Sequence, residues 1–481
     1  MEQREARVAR RGAHLAHWSA GVVVAVVAVV GATPVGAPAA DTSVRSTGAA
    51  IACSQAATRA VVTVSLDLDP ACTYTGGFDI TGSNVVFDCH GARIRDASGT
   101  GAIGILVATP ADVDLDNVTI RNCHVDGFLN SVHVRRDGFN HLAAGHEYDH
   151  HLQGVVVEDS TLTNSRGVGL YVDGYVTGTQ IRRLVIVGAG STGVYLDAGS
   201  RDNVVTENAI VLNGYRESGP NGTVAVFSGV TFRYWGPGRE GIAIDGSRHN
   251  VVSGNWIAGN SAGGVFIYTN CGENVHSDPG SWVEHRYGAD DNVITRNVIA
   301  GGETGVWVAS RMGENVFPMD CSDLPYVSGP LQAITLDRAA RNVVNANSIA
   351  DSEYGVRVED DGAVVTGNDF AGPDATHHAV IVGTPWRTRA LGRPVTDTVV
   401  RGNRSTIVGN SNPYRWVDGV VGLDAGRNRA LGRRSRVCEA PDLPRRSLIF
   451  VDALAVQDPN GPPVPKPEYT VPKLGALGPC S

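Results

Sequence analysis

The sequence predicts an all-β fold, a β-solenoid, and three observations carry that reading. A six-residue unit recurs as "NVVTEN" (203–208), "NVVSGN" (250–255), "NVITRN" (292–297) and "NVVNAN" (342–347). Each unit is Asn, two β-branched residues, two variable positions and Asn. A second unit, a small residue followed by alternating apolar and variable positions, appears as "GLYVD" (169–173), "GVYLD" (193–197), "GIAID" (241–245), "GVFIY" (264–268), "GVWVA" (305–309) and "GVRVE" (355–359). The composition agrees, because a chain of 481 residues holds 59 Gly but only 10 Phe and 3 Met. Short alternating runs are strands with one face buried. Periodic short strands with Asn and Gly at the corners are coils that bury their apolar sides only against one another.

Taken in order, residues 1–40 read as a signal peptide. Arg4, Arg7, Arg10 and Arg11 precede the apolar run "SAGVVVAVVAVVGA", and Ala37 and Ala39 fit a signal-peptidase site. The run is too short for a comfortable membrane span, so the expectation is a secreted, extracellular protein with no membrane attachment after cleavage. Residues 41–80 should cap the solenoid and residues 81–430 should form it. There "AVVTGN" (363–368) and "TVVRGN" (398–403) continue the repeat, with weaker copies at "NVTIRN" (117–122) and "GVVVED" (154–159). Beyond about residue 430 the repeat gives way to a Pro-rich tail, 431–481, that cannot be a central strand and is expected to pack along the solenoid.

Charge and cysteine usage narrow the partners. The net charge is −9, and Lys466 and Lys473 are the only lysines, which argues against a nucleic-acid partner. Eight cysteines, all after the leader, suit an oxidising compartment. Neighbour pairing would join Cys53 to Cys72, Cys89 to Cys123, Cys271 to Cys321 and Cys438 to Cys480. No pair has C-x-x-C spacing, so a cysteine zinc site is not expected.

The N-V-V-x-x-N and G-V-x-V units resemble the right-handed parallel β-helix repeats of the pectate-lyase-like superfamily over about residues 80 to 430. That group includes pectate lyases, polygalacturonases, alginate C5-epimerases and NosD-type periplasmic proteins. The resemblance implies a right-handed parallel β-helix with long loop insertions, and "GIAID" and "GVFIY" are similar to consecutive coils of the epimerases. The epimerase Asp-Pro-His-Asp segment and the polygalacturonase Asn-Thr-Asp and Gly-His-Gly signatures are absent here, so no catalytic residue carries over.

Strand alternation places the second and fourth residues after the small one on the outer face. Coil by coil these are His133 and Arg135, Tyr171 and Asp173, Tyr195 and Asp197, Ala243 and Asp245, Phe266 and Tyr268, Trp307 and Ala309, then Arg357 and Glu359. Stacked ~4.8 Å apart, equivalent positions form files, so Asp173, Asp197 and Asp245 become neighbours. Like charges that close repel, raise one another's pKa values or need a cation between them. They are the candidate catalytic residues, with calcium as the cofactor they could hold. The competing expectation is an acidic ladder softened by solvent or by turn amides. Tyr171, Tyr195, Tyr268 and Trp307 are candidate sugar-stacking residues, with Arg135, Arg311 and Trp282 beside them.

Insertions at 213–240, 269–289 and 310–332 read as cleft walls. The segment "HEYDHH" (146–151) contains H-E-x-x-H, which holds zinc only on a helix. No helical pattern surrounds it, so a polar loop or a cleft wall offering His146 or His150 is expected. The functional expectation is a monomeric enzyme that cleaves glycosidic bonds of an extracellular polysaccharide. The alternatives are a calcium-assisted uronate lyase or C5-epimerase, and a non-catalytic glycan-binding or NosD-like accessory protein.

Overall fold

The computed structural model describes residues 51, 53–215, 238–270, 286–309, 338–383, 394–417, 420 and 422–431, plus the backbone of six short strands elsewhere. Three parallel sheets of 12 strands each run the length of the described solenoid, one strand per coil in each sheet. Sheet A runs from Ala60–Val62 to Tyr414–Trp416, sheet B from Leu66–Asp67 to Asp424–Gly426, and sheet C from Thr73–Tyr74 to Arg429–Ala430.

One coil shows how the repeat folds. In "NVVSGNWIAGNSAGGVFIY" the sheet B strand is Val251–Ser253, the sheet C strand Trp256–Ala258 and the sheet A strand Gly263–Tyr268. Gly254 (φ 66°) and Gly259 (φ 60°) turn the two corners in the left-handed region. The same position is held by Glu207 (φ 57°), Arg296 (φ 55°) and Ala346 (φ 53°) in other coils, at a cost of about 1 kcal/mol each. The left-handed residue is therefore mostly the one before the asparagine. Asparagine itself takes it only in early coils, at Asn84, Asn117, Asn122 and Asn164.

The asparagines turn inward and stack. Nδ2 of Asn208, Asn255, Asn297, Asn347, Asn368 and Asn403 each donates to Oδ1 of the next in the series, ending at Asn428, over 2.9–3.0 Å. Each Oδ1 also accepts the backbone N–H of the preceding asparagine, as Asn297 does from Asn255 at 3.0 Å. Each Nδ2 also donates to a carbonyl one coil back, as Asn297 does to Val252 at 2.9 Å. A second ladder runs Asn203–Asn250–Asn292–Asn342. The expected ladder is thus present, with every amide group satisfied although buried.

Between the ladders the interior is aliphatic. Val205, Val252, Ile294 and Val344 from sheet B meet Ile210, Ile257 and Ile299 from sheet C and Ile242, Val265 and Val306 from sheet A, all fully buried. Burying each contributes about 1.5–3 kcal/mol. The small residue opening the G-V-x-V unit has a steric cause. A Cβ on Gly264 would lie 2.4 Å from the Gly305 carbonyl oxygen and 2.5 Å from Ile299 Cγ2.

The first coil begins at Ala60, inside the segment expected to be a cap. Its strands, some only two residues long, lack the N-V-V-x-x-N pattern and were illegible by periodicity. Cys53–Cys72 and Cys89–Cys123 are bonded as expected, whereas Cys271, Cys321, Cys438 and Cys480 lie outside the described residues. Asn297→Ala removes the shared acceptor of Asn255 and the donor to Val252. It should destabilise the protein by about 3 kcal/mol in denaturant unfolding, while outward-facing Val293→Thr should change stability by less than about 0.5 kcal/mol.

Candidate functional site

Register on sheet A places the predicted outer positions in files. Residue pairing runs His133–Tyr171–Tyr195–Ala243–Phe266–Trp307–Arg357. Beside it Asp245 pairs with Tyr268. The aspartates do not simply face one another. Each tyrosine reaches diagonally to the acid of the next coil: Tyr171 donates its hydroxyl to Asp197 Oδ2 at 2.6 Å, and Tyr195 donates to Asp245 Oδ2 at 2.5 Å. Burial, then the neighbouring Asp197 for Tyr171 and Asp245 for Tyr195, pushes both phenols well above their usual pKa. They therefore stay protonated donors.

The three aspartates differ in surroundings. Asp245 is 1% exposed and also accepts from the backbone N–H and Nδ2 of Asn270 at 2.7 and 2.6 Å. Asp197 is half-buried and accepts the Ala198 N–H at 2.8 Å. Asp173 is 6% exposed, with His133 Nε2 at 3.4 Å from Oδ1. Both ring nitrogens of His133 are buried without a hydrogen-bond partner, and the ring lies edge-on to Tyr171 at 4.8 Å. Among the described residues these three carboxylates do not bring one oxygen each within 4.8 Å of one another.

The aromatic candidates are differently engaged from the expectation of open platforms. Tyr171 and Tyr195 stack on each other at 5.1 Å and 5°, so those faces are turned to one another rather than to a sugar. Tyr268 is 4% exposed and donates to Glu240 Oε1 at 3.0 Å, with an Arg239 nitrogen 3.3 Å from its hydroxyl. Trp307 is half-buried, edge-on to Phe266 at 5.4 Å and covered by the Arg357 guanidinium at 4.7 Å. Arg135 pairs with Asp137 on its own strand at 2.6 Å. Arg311 and Trp282 lie outside the described residues. Sheet A thus grades from a stretch where Arg135 and Asp197 are half-buried beside the buried Asp173 to a dry stretch where the strands Glu240–Asp245 and Gly263–Tyr268 are wholly buried. Glu240 was missed because strand alternation puts it on the inner side. Asn270 was missed because it follows the strand.

The "HEYDHH" segment forms turns and no helix. Its histidines pair with acids: His146 meets Asp149 at 2.7 Å, while His150 and His151 share Asp114 at 3.2 and 3.3 Å. Glu147 and Tyr148 carry the contacts to the solenoid. Glu147 is 1% exposed and pairs with Arg286 at 2.7 Å. Burial opposes its ionisation, but the Arg286 hydrogen bond and nearby backbone amides outweigh this and lower its pKa. Tyr148 donates to the Gly199 carbonyl at 2.6 Å and lies under the Arg201 guanidinium at 4.0 Å. The loop is a clasp across successive coils.

Two family models match the chain. One, described as "Right handed beta helix region", covers residues 77–279, and one described as "Periplasmic copper-binding protein (NosD)" covers residues 221–410. The chain is a right-handed parallel β-helix. No curated protein matches this β-helix in sequence. Among solved structures, the A-module of the mannuronan C-5 epimerase AlgE6 from Azotobacter vinelandii is 14% identical, covering 77% of this chain and 92% of that one with a TM-score of 0.44. An alginate lyase from Paenibacillus is 12% identical, over 77% and 99%, at 0.37. DFA-IIIase from Arthrobacter chlorophenolicus is 12% identical, over 78% and 89%, at 0.41.

The exposed His146 is held above the usual imidazole pKa, first by the hydrogen bond to Asp149 and then by its charge. A raised histidine pKa favours the folded loop below the unfolded pKa and loses that contribution as pH rises through the folded one. NMR titration should find His146 titrating above the ordinary imidazole value, and Asp149→Asn should return it there.

Proposed function

We propose that the protein acts on an extracellular polysaccharide and hydrolyses glycosidic bonds on the outer face of sheet A, with the half-buried Asp197 and the buried Asp173 beside it as the acting carboxylates. One observation carries the reading: His133, Asp173, Tyr171, Asp197, Tyr195 and Asp245 form a continuous, largely buried polar file on one outer face. A solenoid needs no such file for stability. Each carboxylate taken from water costs several kcal/mol before compensation, and clusters of that kind mark sites of chemistry.

The roles follow from the hydrogen bonding. Asp245 accepts three bonds and is sealed, which suits an anchor that fixes Tyr195 rather than a group that meets substrate. Asp173 and Asp197 sit on adjacent coils, where strand spacing approaches the ~5–5.5 Å separation of retaining glycosidases. In that arrangement one carboxyl protonates the leaving oxygen while the other attacks or stabilises the sugar cation. Trp307 and Arg357 would line the far end of the same face. The bonded pairs Cys53–Cys72 and Cys89–Cys123 support an oxidising location outside the cytoplasm.

A second reading, elimination or epimerisation at a uronate, is favoured by His133, whose ring nitrogens make no hydrogen bond and whose Nε2 lies 3.4 Å from Asp173 Oδ1. There His133 would take the α-proton and Arg135 would meet the carboxylate.

Incubation with a panel of neutral and uronate polysaccharides separates the two readings. New reducing ends without the ultraviolet absorbance of an unsaturated uronate are expected; that absorbance would establish a lyase instead. On a substrate so found, Asp173→Asn and Asp197→Asn should each lower kcat by about 10²–10⁴-fold with the fold intact by circular dichroism. Full activity in both variants would refute the assignment.

A further inference from the structure

At the start of the solenoid, far in sequence from the acidic file, three side chains converge that nothing above employs. Asp67, Asp88 and His90 place one donor atom each within 4.8 Å of the others. Asp67 and Asp88 are paired in register on the first two strands of sheet B. His90 stands between them, with Nε2 3.1 Å from Asp67 Oδ1 and Nδ1 3.6 Å from Asp88 Oδ1. We propose that Asp67, Asp88 and His90 form a site for a divalent transition-metal ion that joins the first two coils.

The segment presenting the ligands is fixed before an ion arrives. Cys89, between Asp88 and His90, is bonded to Cys123. The His90 N–H donates to Asp88 Oδ1 at 2.9 Å, closing a tight turn that holds His90 at φ 47°. Outer partners orient the buried carboxylate: Asn122 Nδ2 donates to its Oδ1 at 2.9 Å and Arg121 Nε to its Oδ2 at 2.7 Å. Such second partners are what ligating carboxylates use to hold direction. The side chains of Asp67 and His90 are 56% and 43% exposed, so water can fill the remaining coordination positions.

Donor chemistry selects the ion. One imidazole with two carboxylates suits zinc, nickel or copper(II) and not calcium, which takes oxygen ligands alone. The Asp67 and His90 Nε2 donors, 3.1 Å apart, suit metal–ligand bonds of ~2.0–2.2 Å. The Arg121 guanidinium offsets one of the two carboxylate charges, which moderates the attraction for a cation. The other close trio among the described residues, Cys53, Asp69 and Cys72, offers no such site because its cysteines are joined in a disulfide.

Titration calorimetry of zinc chloride, and separately copper(II) chloride, into the full chain with its disulfides intact tests the proposal. One ion per chain should bind at neutral pH, and the thermal midpoint should rise with zinc concentration. His90→Ala and Asp67→Asn, both at exposed positions, should each weaken binding by at least about tenfold. Replacing His146, His150 and His151 with alanine should leave binding unchanged. No saturable binding, binding that survives His90→Ala, or binding lost with the loop histidines would each overturn the assignment.

Discussion

Each coil lies one strand spacing above the last, and every other feature inherits that spacing. Sheet hydrogen bonds set it, and the asparagine ladders enforce it at the corners. An amide that must both donate to the coil above and reach a carbonyl on the coil below tolerates little slip. A register shift of one residue would turn Val252, Ile294 and Val344 outward and leave the stacked amides unpaired. The ladders also explain why Glu207, Arg296 and Ala346 can occupy the left-handed region without glycine. Surrounding bonds over-determine the corner, so a small local cost persists.

The same spacing makes the outer face of sheet A chemically unusual. Acids separated by tens of residues in sequence become neighbours, and the tyrosines between them remove the repulsion that a bare acidic file would suffer. The phenols do so by donating diagonally, Tyr171 to Asp197 and Tyr195 to Asp245, with Tyr268 to Glu240 continuing the theme. The result is a gradient along one face, from the half-buried Asp197 and Arg135 to a sealed aromatic and acidic stretch. Sealed groups hold position while rim groups can meet a ligand. On the proposed reading, that division gives different roles to three aspartates that look identical in sequence.

Much of this architecture is legible in the sequence. Fixed repeats of N-V-V-x-x-N defined sheet B, its corner and the ladder. The G-V-x-V unit defined sheet A and the parity of Tyr171, Asp173, Tyr195, Asp197 and Asp245. What periodicity could not reach were contacts set by side-chain length and coverage. The tyrosine-to-aspartate diagonals, the Asn270 clamp on Asp245 and the burial of Tyr268 depend on which outer positions are enclosed. Strand parity carries no information about that. In "HEYDHH" the eye falls on the histidines, yet Glu147 and Tyr148 do the packing, because a buried ion pair and a stacked guanidinium need partners far away in sequence.

The account rests on Tyr195 and Asp245, 50 residues apart in sequence, being direct partners across adjacent coils. A double-mutant cycle with Tyr195→Phe and Asp245→Asn, read by denaturant unfolding, tests this most directly. The stacked register predicts a coupling energy of about 1–3 kcal/mol. Strictly additive effects would contradict it.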